Sequence, residues 1–348
     1  MRPRMILYGL CALLWAAMPA RAADIDVKGA GSTFSAPAIE AWARQFGQES
    51  GVTVSYHAGG SGEGIRRVTA HALEFAVTDV PLTEAELKQD DLLQFPVVVG
   101  AVVPVVNLPG VGDGALRLTG VVLADIYLGQ ITRWDDPAIR ALNPGLALPG
   151  LPIQVVHRAD GSGTSFIFTY YLSKVSQDWE GRLGIGSRLI WPAGRGVQGS
   201  GGVADMVHDT EGAIGYVEQA YAVQHGLASV ALRNKAGRYV RADESAVRAA
   251  LASARWSRPG YYEVLVDRDG EASWPIVGIS FALVHLGQED VADGAATLSF
   301  FHWVYVKGAQ LAASLHYISL DDSSLIGRIE SSWNEIHDDK GEHVWKGR

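Results

Sequence analysis

The chain carries a single cysteine, Cys11, among 348 residues. It can form no intramolecular disulfide and no multi-cysteine zinc site. Positive charge is also scarce: 29 Lys and Arg stand against 38 Asp and Glu, a formal net of −9. That balance argues against broad contact with nucleic acid or an anionic membrane, where basic residues must dominate the contact face. The N-terminal apolar run, Ile6 to Met18, falls short of the ~20 residues that span a bilayer. No HExxH segment occurs and the ten histidines are scattered, so metal catalysis has little support. Nor is there a G-x-x-x-x-G-K-[ST] loop.

Glycine is abundant instead, with 40 residues in neither periodic nor low-complexity settings, which sets aside collagen and linker readings. Hydrophobic types make up 48% of the chain, more than one compact core usually holds, so two domains are expected. Arg2 and Arg4, the apolar run and the A-x-A site Ala20-Arg21-Ala22 read together as a secretory signal peptide over 1–22. The mature chain then starts near Ala23 and loses its cysteine. It keeps 26 basic residues against 38 acidic, a net of −12. Leu10 before Cys11, in mid-run, speaks against lipid attachment. An exported, thiol-free protein fits a bacterial periplasm.

Strand and helix patterns alternate, which predicts an α/β architecture. Ser35 to Ser50 reads as an amphipathic helix stopped by Gly51, Val52 to Tyr56 as a strand and Gly62 to Ala72 as a helix. Thr83 and Glu86 form a capping box, and Asp136-Pro137 an N-cap with proline at N1. Phe95 to Val106 and Trp274 to His285 are long apolar runs expected to be strands buried on both faces. They are candidate crossover strands between two lobes, with a ligand cleft between them.

Three glycine-rich loops each follow a predicted strand and open a helix: Gly29 to Phe34, Gly59 to Gly62, and Asp160 to Thr164. Glycine lets backbone approach a ligand, and a helix N-terminus offers unpaired N–H donors with partial positive charge. Three such termini aimed at one point would hold an oxyanion with little formal charge. Plain N-capping uses the same residue types and is the alternative. Arg158, just before the third loop, could fork onto phosphoryl oxygens with Asp160 orienting it, or form a simple ion pair. Asp79 ends the strand at Phe75 to Thr78. Beside a bound anion its carboxylate repels, unless the ligand brings a proton to donate, as monohydrogen phosphate does and sulfate does not. An Asx-turn is its alternative.

These residues lie in segments that resemble the periplasmic phosphate-binding proteins of Pst-type phosphate ABC transporters. The likeness runs in order over nearly all of the mature chain. It includes Gly29 to Phe34, Gly60-Ser61, Thr78 to Leu82, Asp125 to Gly129, Trp134 to Asp136, Asn143 to Gly145, Gly212 to Glu218 and Trp274 to Ile276. The most specific segment is Arg158 to Phe166. The resemblance implies a two-lobed α/β periplasmic binding protein of type II, with two crossover segments. The lobes would be 23–105 with 278–348, and 106–277. It implies phosphate ligands at Thr33, Phe34 (backbone N–H), Ser61, Asp79, Arg158, Ser162, Gly163 and Thr164, with Asp160 orienting Arg158. It implies inorganic phosphate and membrane permease subunits as partners, a free monomer, no cofactor, no metal and no enzymatic activity. Glu63 stands where the family usually has a small residue, and it is expected to face solvent in the first turn of its helix, where a carboxylate suits the dipole. Gly194 to Gly202 keeps the glycine richness but not the usual residues.

Two other classes compete. Gly163-Thr164-Ser165 is similar to the serine loop of subtilisin-like hydrolases, but there is no His-Gly-Thr segment. No G-x-S-x-G elbow occurs at Ser32, Ser61, Ser162 or Ser165 either. A receptor for another oxyanion, such as sulfate or molybdate, conflicts with Asp79.

Overall fold

The structure, a computed structural model, describes residues 25–347; the segment read as a signal peptide lies outside the described residues. Eight strands form the main sheet: β1 (Asp26–Gly31), β2 (Thr53–His57), β3 (Phe75–Thr78), β4 (Leu92–Val106), β5 (Gln154–Arg158), β6 (Arg195–Val197), β7 (Ala213–Glu218) and β8 (Ile276–His285). Their order is β2-β1-β3-β8-β4-β7-β5-β6, with three short strands pairing alongside. β1 runs parallel to β2 and β3, and β5 runs parallel to β6 and β7. β8 and β4 lie antiparallel to each other in the middle.

The two long apolar runs occupy that middle. All ten residues of β8 are buried, as are all but one of β4. β4 changes partners along its length. Leu92 to Ala101 pairs with β8, and Val102 to Val106 pairs with β7. One continuous strand thus serves both halves of the two-lobed fold. The Trp274 indole, fully buried, donates to the carbonyl of Val102 at 3.0 Å, where the change occurs.

Helices pack on the faces at positions that the caps explain. Helix α1 (Ala36–Ser50) has proline in its first turn and ends at Gly51, whose φ of 78° is left-handed. Helix α2 (Ser61–Thr69) begins one residue before its predicted start and ends three residues early. It stops because His71 turns left-handed at φ 52° and stacks its ring on His285 at 3.9 Å. Both side chains of the Thr83–Glu86 capping box reach their backbone partners, and Asp136 caps Ala138 at 2.8 Å. Helix α3 (Gly163–Val175) follows β5, helix α4 (Gly199–Asp209) follows β6 and helix α5 (Gln219–Gln224) follows β7.

α2 lies in backbone contact with β1. A Cβ at Gly64 would sit 2.6 Å from the Gly31 Cα and 2.8 Å from the Ala30 carbonyl, so the helix cannot carry a side chain there. Gly64→Ala is expected to cost about 1–3 kcal/mol by forcing helix and strand apart. Gly327, exposed inside the helix Ser323–Ser332 with nothing near its missing Cβ, serves as the control. Gly327→Ala is expected to stabilise by about 0.4–1 kcal/mol. Urea unfolding midpoints of the two variants check both signs.

Candidate functional site

The carboxyl ends of β1, β3 and β5 converge, and the loops that follow them meet at one buried point. The strands turn there because the next residues are Gly, Ser, Thr and Asp, which cap helices rather than extend strands. Asp79 follows β3 and is 2% exposed. Its carboxylate accepts hydrogen bonds from the hydroxyls of Ser32 (2.6 and 2.8 Å), Ser280 (2.6 Å) and Ser61 (3.3 Å). Its own N–H donates to Ser61 Oγ at 3.2 Å. Burial pushes the Asp79 pKa up to about 6, while the three serines and the nearby Arg158 pull it down.

Arg158 ends β5 and is 3% exposed. Its Nε donates to Asp160 Oδ1 at 2.7 Å and its Nη2 to Asp160 Oδ2, a bidentate fork. Nη1 donates to Ser200 Oγ at 3.1 Å. Burial opposes both charges of the pair. Their mutual attraction outweighs it, holding the arginine above and the aspartate below their ordinary values. Asp160 also accepts the N–H of Gly199 at 3.2 Å. The arginine backbone is anchored from below, its N–H donating to the Tyr216 hydroxyl, which in turn pairs with Ser165 Oγ at 2.7 Å.

The third loop caps α3. Ser162 Oγ accepts from the Ser165 N–H at 3.1 Å, so helix geometry leaves the N–H groups of Gly163 and Thr164 without intrahelical partners. The Thr164 hydroxyl, in a residue 1% exposed, has no hydrogen-bond partner among the described residues. A buried orphan hydroxyl at a helix N-terminus marks a place for an acceptor. Gly163 is pressed against Asp79 and Ser61, where a Cβ would lie 2.5 Å from the serine hydroxyl.

The two halves touch across this point. Thr33 Oγ1 meets Ser200 Oγ at 2.9 Å, and the Gly62 N–H donates to the Gly161 carbonyl at 2.9 Å. Thr33, Phe34, Ser61, Asp79, Arg158, Asp160, Ser162, Gly163 and Thr164 are therefore brought together. Phe34 keeps its ring in the core, beside Gly278 and Gly100, while its carbonyl takes the Tyr317 hydroxyl. Glu63 departs from the expectation of a solvent-facing carboxylate. It is half-buried and folds back over Gly59, 3.4 Å from Arg67 and 3.5 Å from His57 Nε2. These contacts hold it outside the polar cluster.

Sequence reasoning missed Ser32, Ser200, Ser280, Tyr216 and Glu218. Ser280 was detectable as the one polar residue in the apolar run Val277 to Leu283. Glu218 closes the apolar strand β7 in the same way. Gly194 to Gly199 has G-x-G-x-x-G spacing, as in dinucleotide sites. The N–H that opens α4 there is already given to Asp160.

A two-lobed sheet with hydroxyls, helix N-termini and one arginine between its halves defines a binding protein of the periplasmic-binding-protein class. A PBP superfamily domain matches residues 17–307. A "Phosphate-binding protein PstS" of Xylella fastidiosa is 43% identical over 311 residues, covering 89% of this chain and 85% of that one. Its namesake in Pasteurella multocida is 40% identical over 339 residues, covering 97% and 98%. A solved human phosphate binding apolipoprotein shares the fold, with a TM-score of 0.71 at 19% identity, covering 88% of this chain and 94% of its own. The chain belongs to the PstS family of phosphate-binding proteins.

The raised pKa of Asp79 has a measurable consequence for the ligand-free protein. The folded state binds its proton more tightly than the unfolded state does. The ionised form therefore costs stability above pH 6, and that cost disappears as pH falls below the ordinary 3.8. The stability of wild type relative to Asp79→Asn should fall by on the order of 3 kcal/mol between pH 4 and 6, then level off. Urea titrations in phosphate-free buffer test this, and a difference that stays constant with pH would refute it.

Proposed function

We propose that this protein captures inorganic phosphate between its lobes in the periplasm and delivers it to the permease of an ABC importer. The observation that carries the reading is a buried carboxylate, Asp79, answered only by hydroxyls at close range, whereas Asp160 is committed to Arg158. A bound oxyanion must offer that carboxylate a proton. Phosphate carries one at neutral pH, whereas sulfate would leave two unprotonated acceptors buried face to face. The donors would be the backbone N–H groups of Phe34, Gly163 and Thr164, the hydroxyls of Thr33, Ser162 and Thr164, and the Arg158 guanidinium; the Ser61 hydroxyl, which leans on Asp79 at 3.3 Å here, would turn to the anion once it is bound. Asp160 would hold that guanidinium in plane.

Several observations support the wider reading. None of the described helices is long and apolar enough to cross a membrane, in keeping with export after cleavage near Ala22. The proposed lobes, 23–105 with 278–348 and 106–277, meet within β4 and β8, and the ligand cluster lies where they join. A nucleophilic serine needs a base. The hydroxyls of Ser32, Ser61 and Ser280 donate instead to Asp79, and Ser165 pairs with a tyrosine. Among the described residues no histidine hydrogen-bonds to any of them. A receptor role follows more naturally than hydrolysis.

Calorimetric titration with phosphate, arsenate and sulfate at fixed salt is the direct test. Saturation by phosphate with none by sulfate is expected, and turnover of a phosphate ester without a stable phosphate complex would favour an enzyme. Arg158→Ala should weaken phosphate binding by about thirtyfold or more, since it removes a buried charge partner worth ~2–5 kcal/mol. Asp79→Asn should narrow the gap between phosphate and sulfate. Unchanged phosphate affinity in Arg158→Ala would remove the site assignment.

A further inference from the structure

Glu218 is the last residue of β7 and the register partner of Val102, at the point where β4 passes from one half of the fold to the other. Its exposure is 0%, and neither carboxyl oxygen has a hydrogen-bond partner among the described residues. The neighbours that could serve are already engaged. Ser200 Oγ is shared between Thr33 and Arg158, and the arginine fork is held by Asp160. A carboxylate this deeply buried without a close hydrogen-bond partner favours its neutral form. Burial accordingly holds its pKa well above the ordinary range; its own backbone N–H, Arg158 and Ser200 oppose the shift, and Asp79 adds to it.

The groups that act on Glu218 through space come from both halves. Arg158 lies at the end of β5, Ser200 on α4 and Tyr221 on α5, while Asp79 follows β3 and Tyr317 stands beside the Phe34 loop. Its surroundings therefore draw on both halves of the fold. An ionised Glu218 in that environment would also compete with an incoming anion for Arg158.

We propose that Glu218 is the proton acceptor of cleft closure. Ionised where the opened cleft admits water, it takes about one proton from solvent as the lobes shut over phosphate. Its neutral form leaves Arg158 to the ligand. This inference rests on the phosphate-binding reading above. Glu218 is a positioning residue, acting through Arg158 rather than on the anion.

Proton counting tests it. Phosphate is titrated at pH 8 in two buffers of different ionisation enthalpy, into wild type and into Glu218→Gln, whose amide is neutral at every pH. Wild type should take up more protons than the variant, by up to about one, and the variant should bind phosphate at least as tightly. Between pH 6 and 8 the affinity of wild type relative to the variant should fall by up to about tenfold per pH unit. Equal proton counts and parallel pH profiles overturn the proposal, as does a folded Glu218→Gln protein that loses phosphate binding. If wild type binds no phosphate, the underlying reading fails as well. Should Glu218→Gln fail to fold, infrared difference spectra of Asp79→Asn with and without phosphate decide. A protonated-carboxyl band gained on phosphate addition supports the proposal, and its absence overturns it.

Discussion

Asp79 must remain a usable acceptor in the interior, beside the proposed anion site, and its surroundings are arranged around that requirement. A bare carboxylate so deeply buried would cost several kcal/mol. Three serine hydroxyls reduce that cost, and each comes from a different stretch of chain. Ser32 follows β1, Ser61 opens α2 and Ser280 lies inside β8. The strand order β2-β1-β3-β8 sets those stretches side by side. A slip of one residue in β8 would turn Ser280 to the opposite face and leave the carboxylate short of a donor. The central register is thus tied to the chemistry of one side chain.

The same economy of charge explains how an acidic protein can hold an anion. Arg158 is neutralised by Asp160, so the pair adds orientation more than net positive potential. The attraction left over comes from helix termini and hydroxyls, whose partial charges act at contact distance and fade within a turn. Distant surface acids are screened by salt and affect a shut cleft little. A net charge of −9 therefore excludes extended polyanions while remaining compatible with a small enclosed one.

The fold was readable in the sequence because its signals were local. Two unbroken apolar runs marked the central strands, and Thr83, Asp136 and Gly51 marked helix ends within a residue. The loops and arginine of the proposed site were readable too, since glycine, serine and threonine at strand ends carry backbone information. The hidden part was the shell behind them. Ser200, Ser280 and Glu218 are separated from Asp79 and Arg158 by tens to hundreds of residues, and only the sheet order brings them close. Glu63 illustrates the opposite limit. Its local setting suggested a fully solvated helix terminus, whereas an i,i+4 pair with Arg67 and a contact with His57 across the loop hold it half-buried beside the helix.

A flexible linker would let two lobes drift and slide. Here they share one fifteen-residue strand, β4, hydrogen-bonded on both sides and pinned by the Trp274 indole at Val102, where the partners change. Shear along such a strand breaks the ladder, and bending across it opens the packed core. Rotation about its long axis disturbs the fewest bonds, because strands already twist. A hinge there would act as a torsion bar, with the twisted sheet resisting rotation and returning the two halves to the same register.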